Sequence, residues 1–242
     1  MINPRSLPHH INRKIGQAMH DYAMLADQDH VFAAVSGGID SLVMAVTLSL
    51  WRKKAPIDFG LTAVVVDHGD WQDVAGGENP EETICPQLQR FGIPCRVVPA
   101  WDALRGSRSC FQCARDRRSQ LFSLARDAGV NKLALGHHKD DLIETLFINL
   151  LYGGNISTML PRQELFGGNL HLIRPLAFLE KTEVLELGEL YGVRPVGNLC
   201  PFAREGKRER VRKLLGDIYA EEPAVKNSLF AALGNVRSEY LL

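Results

Sequence analysis

Apolar residues recur near helical spacing at Ile11, Ile15, Ala18, Met19, Tyr22, Met24 and Leu25, with His9, His10, Arg13 and Lys14 among the polar positions. This pattern predicts an amphipathic leading helix over residues 9–26. A short run of small and branched residues follows (HVFAAV), then the break Ser36-Gly37-Gly38, then an apolar stretch from Leu42 to Trp51. The order is strand, tight turn, helix. The run LTAVVVDHG reads as a buried strand that ends in polar residues, and CRVVPA and KLALGHH repeat the pattern. Strands alternating with helical segments predict an α/β fold, a parallel twisted sheet with helices on both faces. Such sheets bind ligands beyond the carboxyl ends of their strands. Here those ends carry Ser36 to Ser41, Asp67 with His68, and Gly136 to Asp141.

After Leu150 the strings YGGN, LPRQ, FGGN and RPL mark loops around one short strand, LHLI, before a helix over about 181–191. The last 40 residues have helical composition and are strongly charged between Arg204 and Lys213. The expected organisation is a helical N-terminal extension (1–28), a nucleotide-binding core (29–200) and a basic helical C-terminal segment (201–242). A chain of 242 residues is long enough for one such domain with helical ends. Lys and Arg total 28 and Asp and Glu total 28, so a nucleic-acid partner would have to be held by a local basic patch. The sequence has no run of 18 apolar residues and no basic-then-apolar leader, which predicts no membrane partner and a cytoplasmic location.

In AVSGGIDS, two glycines let the backbone turn so that N–H groups converge on an anion, and the following helix adds its partial positive charge. Ser36 and Ser41 can donate hydroxyl hydrogens to the same oxygens. A plain strand-to-helix turn with an Asp or Ser cap is the structural alternative. The string is not a Walker A loop, which needs four residues between its glycines and a Lys after the second. It resembles the SGGxDS signature of the PP-loop ATP-pyrophosphatase superfamily, which cleaves ATP between the α and β phosphates. The resemblance implies an adenine nucleotide alpha hydrolase-like, Rossmann-like fold, a pyrophosphate grip by Ser36, Gly37, Gly38, Asp40 and Ser41, and a Mg²⁺ role for Asp40. Many relatives in the tRNA-thiolating branch have Lys where this chain has Ile39, and Lys139 or Arg174 are the expected substitutes for that charge.

Asp67 emerges at the second strand end, where it can meet a ribose or adenine or simply make a turn. In GHHKDDLIETL, Asp140, Asp141 and Glu144 lie in or near the first turn of a predicted helix, and the spacing puts Asp140 and Glu144 on one face. The macrodipole accounts for one acidic residue there; three exceed that need. Adjacent His137 and His138 do not match the zinc-protease template. The string resembles GHHxDD of the tRNA 2-thiocytidine synthetase family, which implies nucleotide contacts at Gly136 and His137 and a catalytic or Mg²⁺-binding carboxylate at Asp141 or Asp140.

Of the five cysteines, Cys110 and Cys113 form CFQC on a loop entering a helix, and Cys200 lies in NLCPF. A lone CxxC is a redox pair, half a zinc site or part of an iron–sulfur site. No second CxxC is present to complete zinc, though a His or Asp could supply a fourth ligand, and the motif does not follow a first strand as a thioredoxin motif does. The 2-thiocytidine synthetase resemblance, which carries a CxxC and a third Cys in an NLC string, implies that Cys110, Cys113 and Cys200 hold a 4Fe-4S cluster. Cys85 and Cys95 read as buried, inert thiols.

Arg117 and Arg118 follow the CxxC, and Lys207, Arg208 and Arg210 follow Cys200. Such runs are ordinarily solvated helix faces. Their placement beside the expected cluster points to tRNA phosphates, with an unstacked loop base as the substrate. The family resemblance runs from RKIGQAM through SGGIDS, APIDF, CFQC, ALGHHKDD, IRPLA and NLC to FAALGNVRSEYL. It implies ATP-dependent 2-thiolation of cytidine 32 of tRNA, with ATP, Mg²⁺ and the cluster as cofactors, a sulfur donor such as a cysteine desulfurase system, and room for a homodimer. The alternatives are 2-thiouridine synthesis, lysidine synthesis, or a non-catalytic iron–sulfur nucleotide sensor.

Overall fold

The computed structural model describes residues 6–67, 79–101, 110–196 and 206–240. The chain forms two compact units: Met1–His138 with Pro161–Ala203, and Lys139–Leu160 with Arg204–Leu242.

In the first unit, β1 (His30–Ala34) pairs in parallel with β2 (Gly60–Asp67) on one side and β4 (Lys132–Ala134) on the other. β3 (Cys95–Pro99), β6 (Leu170–Ile173) and β5 (Arg162–Leu165) complete a six-stranded sheet of order β3-β2-β1-β4-β6-β5. Side chains alternate across a strand, so each buried strand feeds two cores. Val31, Ala33, Val35, Leu61, Ala63 and Val65 join the core on one face, whereas Phe32, Val64, Val66, Val98, Leu133 and Leu172 join the core on the other. The first face is covered by α1 (His9–Asp21), α2 (Ile39–Arg52), α4 (Cys85–Gln89) and α7 (Lys181–Tyr191), and the second by α5 (Cys110–Asp127) through Leu121 and Ala125. α3 (Pro80–Thr83) is a single turn before α4.

The leading helix is integral to this unit. Ile11, Ile15, Ala18 and Met19 are buried at helical spacing in the first core, and Lys14 Nζ reaches Glu183 of α7 at 2.8 Å. α2 is buried on all sides from Ser41 to Leu50, as a helix between a sheet and other helices must be.

The sheet is parallel as expected except at one edge, where β5 runs antiparallel to β6. Its string RQEL has no apolar run to announce it, because an edge strand half open to solvent can be polar. Phe166, Gly167 and Gly168, all at positive φ, close the hairpin. A correction concerns Cys85 and Cys95, expected as separate thiols, which are joined as a disulfide between α4 and β3.

The second unit gathers α6 (Lys139–Ile148), α8 (Lys207–Glu221) and α9 (Val225–Ala232) around Ile143, Val211 and Leu215, with Phe147, Tyr219, Leu229 and Phe230 packed against them. A wide π turn, Asn149–Gly153, extends α6 and ends at Gly154 in the left-handed region. The C-terminal helices thus form a small helical core with α6, a division that differs from the three consecutive segments expected along the chain. Among the described residues no helix is long and apolar enough to cross a membrane.

Candidate functional site

The strand order reverses between β1 and β4, since the chain steps outward from β1 to β2 and β3 and then returns to the other side of β1. A crevice at the carboxyl ends of such a pair is where open α/β sheets hold ligands. The residues leaving β1 are Ser36, Gly37 and Gly38; those leaving β4 include Gly136 and His137. The two exits touch, and glycine permits it. A Cβ on Gly136 would stand 2.7 Å from the Asp40 carbonyl oxygen and 2.8 Å from the Ser41 nitrogen. Both are backbone atoms, which cannot swing aside. Gly136→Ala is therefore expected to displace the first turn of α2, with a loss of ATP turnover on the order of 10² because a shift of about 1 Å at a reacting group has that effect. Steady-state AMP formation by the variant measures it, and a rate within twofold of the parent would show that the close approach is unimportant.

The loop is internally braced. Gly37 has a φ of 81°, a conformation that favours glycine, and its carbonyl accepts from Val196 N at 2.9 Å. Ser36 N donates to Ser41 Oγ at 3.1 Å, and Ser41 Oγ donates to the Gly38 carbonyl at 2.8 Å. Gly38 is the N-cap of α2 and brings no side-chain oxygen to the first-turn N–H groups. Those donors and the positive end of the helix suit an anion.

Asp40 in that first turn meets two cationic or potentially cationic groups. Lys181 Nζ, from the first residue of α7, contacts Asp40 Oδ1, and the buried His138 Nε2 lies 3.8 Å from the same oxygen. The Asp40 and Lys181 side chains are 33% and 38% exposed, so the pair is open to solvent and to a ligand. An ion pair this exposed contributes about 0–1 kcal/mol to stability.

Arg174, at the end of β6, is 4% exposed and donates from Nε to His137 Nδ1 at 3.3 Å. Burial first, and the nearby Arg118 second, push its pKa down to about 10, so it stays cationic at neutral pH. Asp67 ends β2 at the same sheet edge, where its carbonyl accepts from Ala100 N at 2.6 Å. Gln120 of α5 donates to the Pro99 carbonyl at 2.7 Å and accepts from Trp101 N at 3.1 Å, which fastens α5 to the exit of β3.

α5 begins at Cys110, and Cys113 lies in the same first turn, so the expected loop is already helix. Cys200, the expected third ligand, lies outside the described residues. Arg117 and Arg118 follow one turn later on α5, Arg118 exposed and Arg117 partly so. Among the described residues no group of three or more His, Cys, Asp or Glu side chains assembles into a metal cage.

In the second unit, Asp140 is paired with Lys226 of α9 at 2.9 Å and Asp141 with Arg208 of α8 at 3.2 Å. Glu144 is gripped by Arg212 through two hydrogen bonds of 2.9 and 3.2 Å and also faces Arg208 at 3.8 Å. The Glu144 hydrogen bond raises the Arg212 pKa above its already high value. Arg208 also bridges Asp141 and Glu144. Of the basic run, Arg208 is thus partly neutralised, Lys207 lies over the Tyr152 ring at 4.9 Å, and Arg210 is exposed. Lys139, one expected phosphate cation, is buried, donating to Asn227 at 2.6 Å and facing the Phe230 ring. Sequence reasoning did not identify Lys181, which the fold brings to Asp40 from 141 residues away. Its one signal was a lysine opening a predicted helix, the end that disfavours cations.

The family model of the PP-loop domain matches residues 7–216. The tRNA-cytidine(32) 2-sulfurtransferase of Geobacter sulfurreducens is 36% identical over 239 residues, covering 96% of this chain and 91% of the relative. That of Pelobacter propionicus is 34% identical over 249 residues, covering 98% and 90%. Among solved structures, the U34-tRNA thiolase NcsA of Methanococcus maripaludis, with its [4Fe-4S] cluster, superposes with a TM-score of 0.74 at 22% identity, over 93% of this chain and 77% of that one. At that identity the likeness bears on the fold.

Proposed function

The chain belongs to the tRNA-cytidine(32) 2-sulfurtransferase family of PP-loop proteins, and from that premise we propose that it uses ATP to replace the 2-oxygen of cytidine 32 in tRNA with sulfur. The observation that carries the reading is the loop Ser36–Ser41, braced at the sheet's switch point and approached by Gly136 as only a glycine can approach it. Such a loop grips phosphates, and its acidic residue, Asp40, would hold Mg²⁺. Asp67, Gly136 and His137 lie at the same edge to meet the nucleoside. One of Asp140 and Asp141 serves as a further catalytic carboxylate, an assignment that rests on the GHHxDD motif.

The chemistry follows from a poor leaving group. The base O2 is amide-like and does not depart until it becomes a phosphoester. Attack of O2 on the α phosphate releases pyrophosphate, and a sulfur nucleophile at C2 then displaces AMP. A 4Fe-4S cluster on Cys110, Cys113 and Cys200 would supply, when bound, an open iron position suited to carrying that sulfur. A donor such as a cysteine desulfurase system delivers the sulfur, and we place the protein in the cytoplasm with its tRNA. Formation of AMP and pyrophosphate that depends on added tRNA tests the reading. ATP turnover indifferent to tRNA would sink it.

Arg117, Arg118, Lys207, Arg208 and Arg210 are the proposed tRNA contacts. Replacing Arg208 and Arg210 with Ala should weaken tRNA binding and flatten the logarithmic salt dependence by up to about 0.9 per lost duplex phosphate contact, or about 0.7 per single-stranded one. Because Arg210 is exposed while Arg208 also pairs with Asp141, Arg210→Ala alone should carry a binding defect without loosening the second unit. Filter binding at several salt concentrations measures both; unchanged slopes would make the run an ordinary solvated face.

A further inference from the structure

We propose that Lys181 is the cation that meets the phosphates of ATP at the Ser36–Ser41 loop and takes up the charge of the leaving pyrophosphate. The inference rests on the ATP reading of that loop and adds a catalytic residue to it. Position 39, inside the loop motif, carries no charge. The Ile39 side chain instead packs on α7, where a Cβ added to Gly188 would stand 2.6 Å from Ile39 Cδ1. An anion at the N-terminus of α2 would also sit beside the Asp40 carboxylate, so the loop needs positive charge beyond its N–H groups. Lys181 brings it, touching Asp40 Oδ1 from the first residue of α7.

Helix stability does not explain that lysine. A cation at the first residue of a helix opposes the macrodipole, and the acidic groups this end prefers are already present in the capping box of Glu180 and Glu183. Glu183 has its own cation in Lys14. Lys181 faces the loop from this helix position through Asp40, with a flexible stem that lets the ammonium move from a carboxylate to a phosphate. Asp40 would hold Mg²⁺, which would engage the carboxylate's charge, and the Lys181 ammonium is then free to meet the β phosphate. As the bond from base O2 to the α phosphorus forms, the bond from that phosphorus to the α,β-bridging oxygen breaks and its electron pair stays on that oxygen. Lys181 offsets the charge gathering there; nothing is oxidised or reduced.

Calorimetric titration of the full chain with magnesium pyrophosphate, together with tRNA-dependent AMP formation, tests this. Lys181→Ala should weaken pyrophosphate affinity by about tenfold or more and slow AMP formation by about 10². Lys181→Arg, which keeps the charge, should regain most of the affinity. If the alanine variant melts early, Lys181→Gln keeps the stem without the charge and carries the same comparison. Pyrophosphate binding at parental affinity in the charge-free variants, whatever their rate, would overturn the proposal and leave Lys181 orienting Asp40. A parent protein that binds neither magnesium pyrophosphate nor magnesium ATP would overturn the ATP reading, and this inference with it.

Discussion

Alanine at Cys110, Cys113 or Cys200 is expected to remove both cluster iron and 2-thiolation, whereas alanine at Cys85 or Cys95 should keep both. The first two open α5, three residues apart in one helical turn. Cys85 and Cys95 are bonded to each other between α4 and β3 and have no thiolate to offer. A three-cysteine set leaves one iron of a 4Fe-4S cluster without a protein ligand, a geometry suited to carrying sulfur and superfluous for electron transfer alone. Iron and sulfide analysis after anaerobic reconstitution should find about four irons per parent chain and in the Cys85 and Cys95 variants. The other three variants should hold far less and thiolate no tRNA. One tightly bound zinc in the parent, with activity that survives iron chelation, would end the cluster assignment while leaving the ATP-dependent step standing.

Asp40→Ala should reduce AMP formation on the order of 10²–10³ while leaving the fold intact. The effect on chemistry is large because the carboxylate is the loop's own Mg²⁺ ligand in this account, and a cation at the phosphates stabilises the charge that develops as pyrophosphate departs. The effect on folding is small because the Asp40–Lys181 pair is a third open to water and worth about 0–1 kcal/mol, which shifts a melting midpoint by no more than about 4 °C in a chain of this size. Rate and melting curve together separate the two roles. A near-parental rate would refute the assignment of this loop, and a collapsed melting curve would make Asp40 a structural residue.

Much of this fold was legible in advance because its central strands are buried on both faces. The three valines of β2 and the HVFAAV run admit little besides interior strand, and Ser36–Ser41 could be read as a phosphate loop because glycines and hydroxyls must stand in the turn itself. Contacts made by distant segments were not legible. Lys181 reaches Asp40 only after α7 packs on α2 beside Ile39 and Gly188. The ion pairs of Asp140 with Lys226 and of Asp141 with Arg208 exist only once α8 and α9 close on α6. β5 was missed because a polar edge strand has no periodicity to read, and the Cys85–Cys95 bond because spacing does not determine pairing. Gly136 could be named from its motif, but its reason lies in the backbone of Asp40, which is far away in sequence.

The central claim is that this chain installs sulfur at the 2-position of cytidine 32. Mass spectrometry of nucleosides from the tRNA of a strain lacking the protein tests it most directly, with the parent strain and a strain re-expressing the chain alongside. 2-Thiocytidine is expected to disappear in the deletion strain, to return on re-expression, and not to return with the Asp40→Ala form, while 2-thiouridine derivatives and lysidine stay at parental levels. Persistence of 2-thiocytidine in the deletion strain, or loss of a 2-thiouridine or of lysidine in its place, would contradict it.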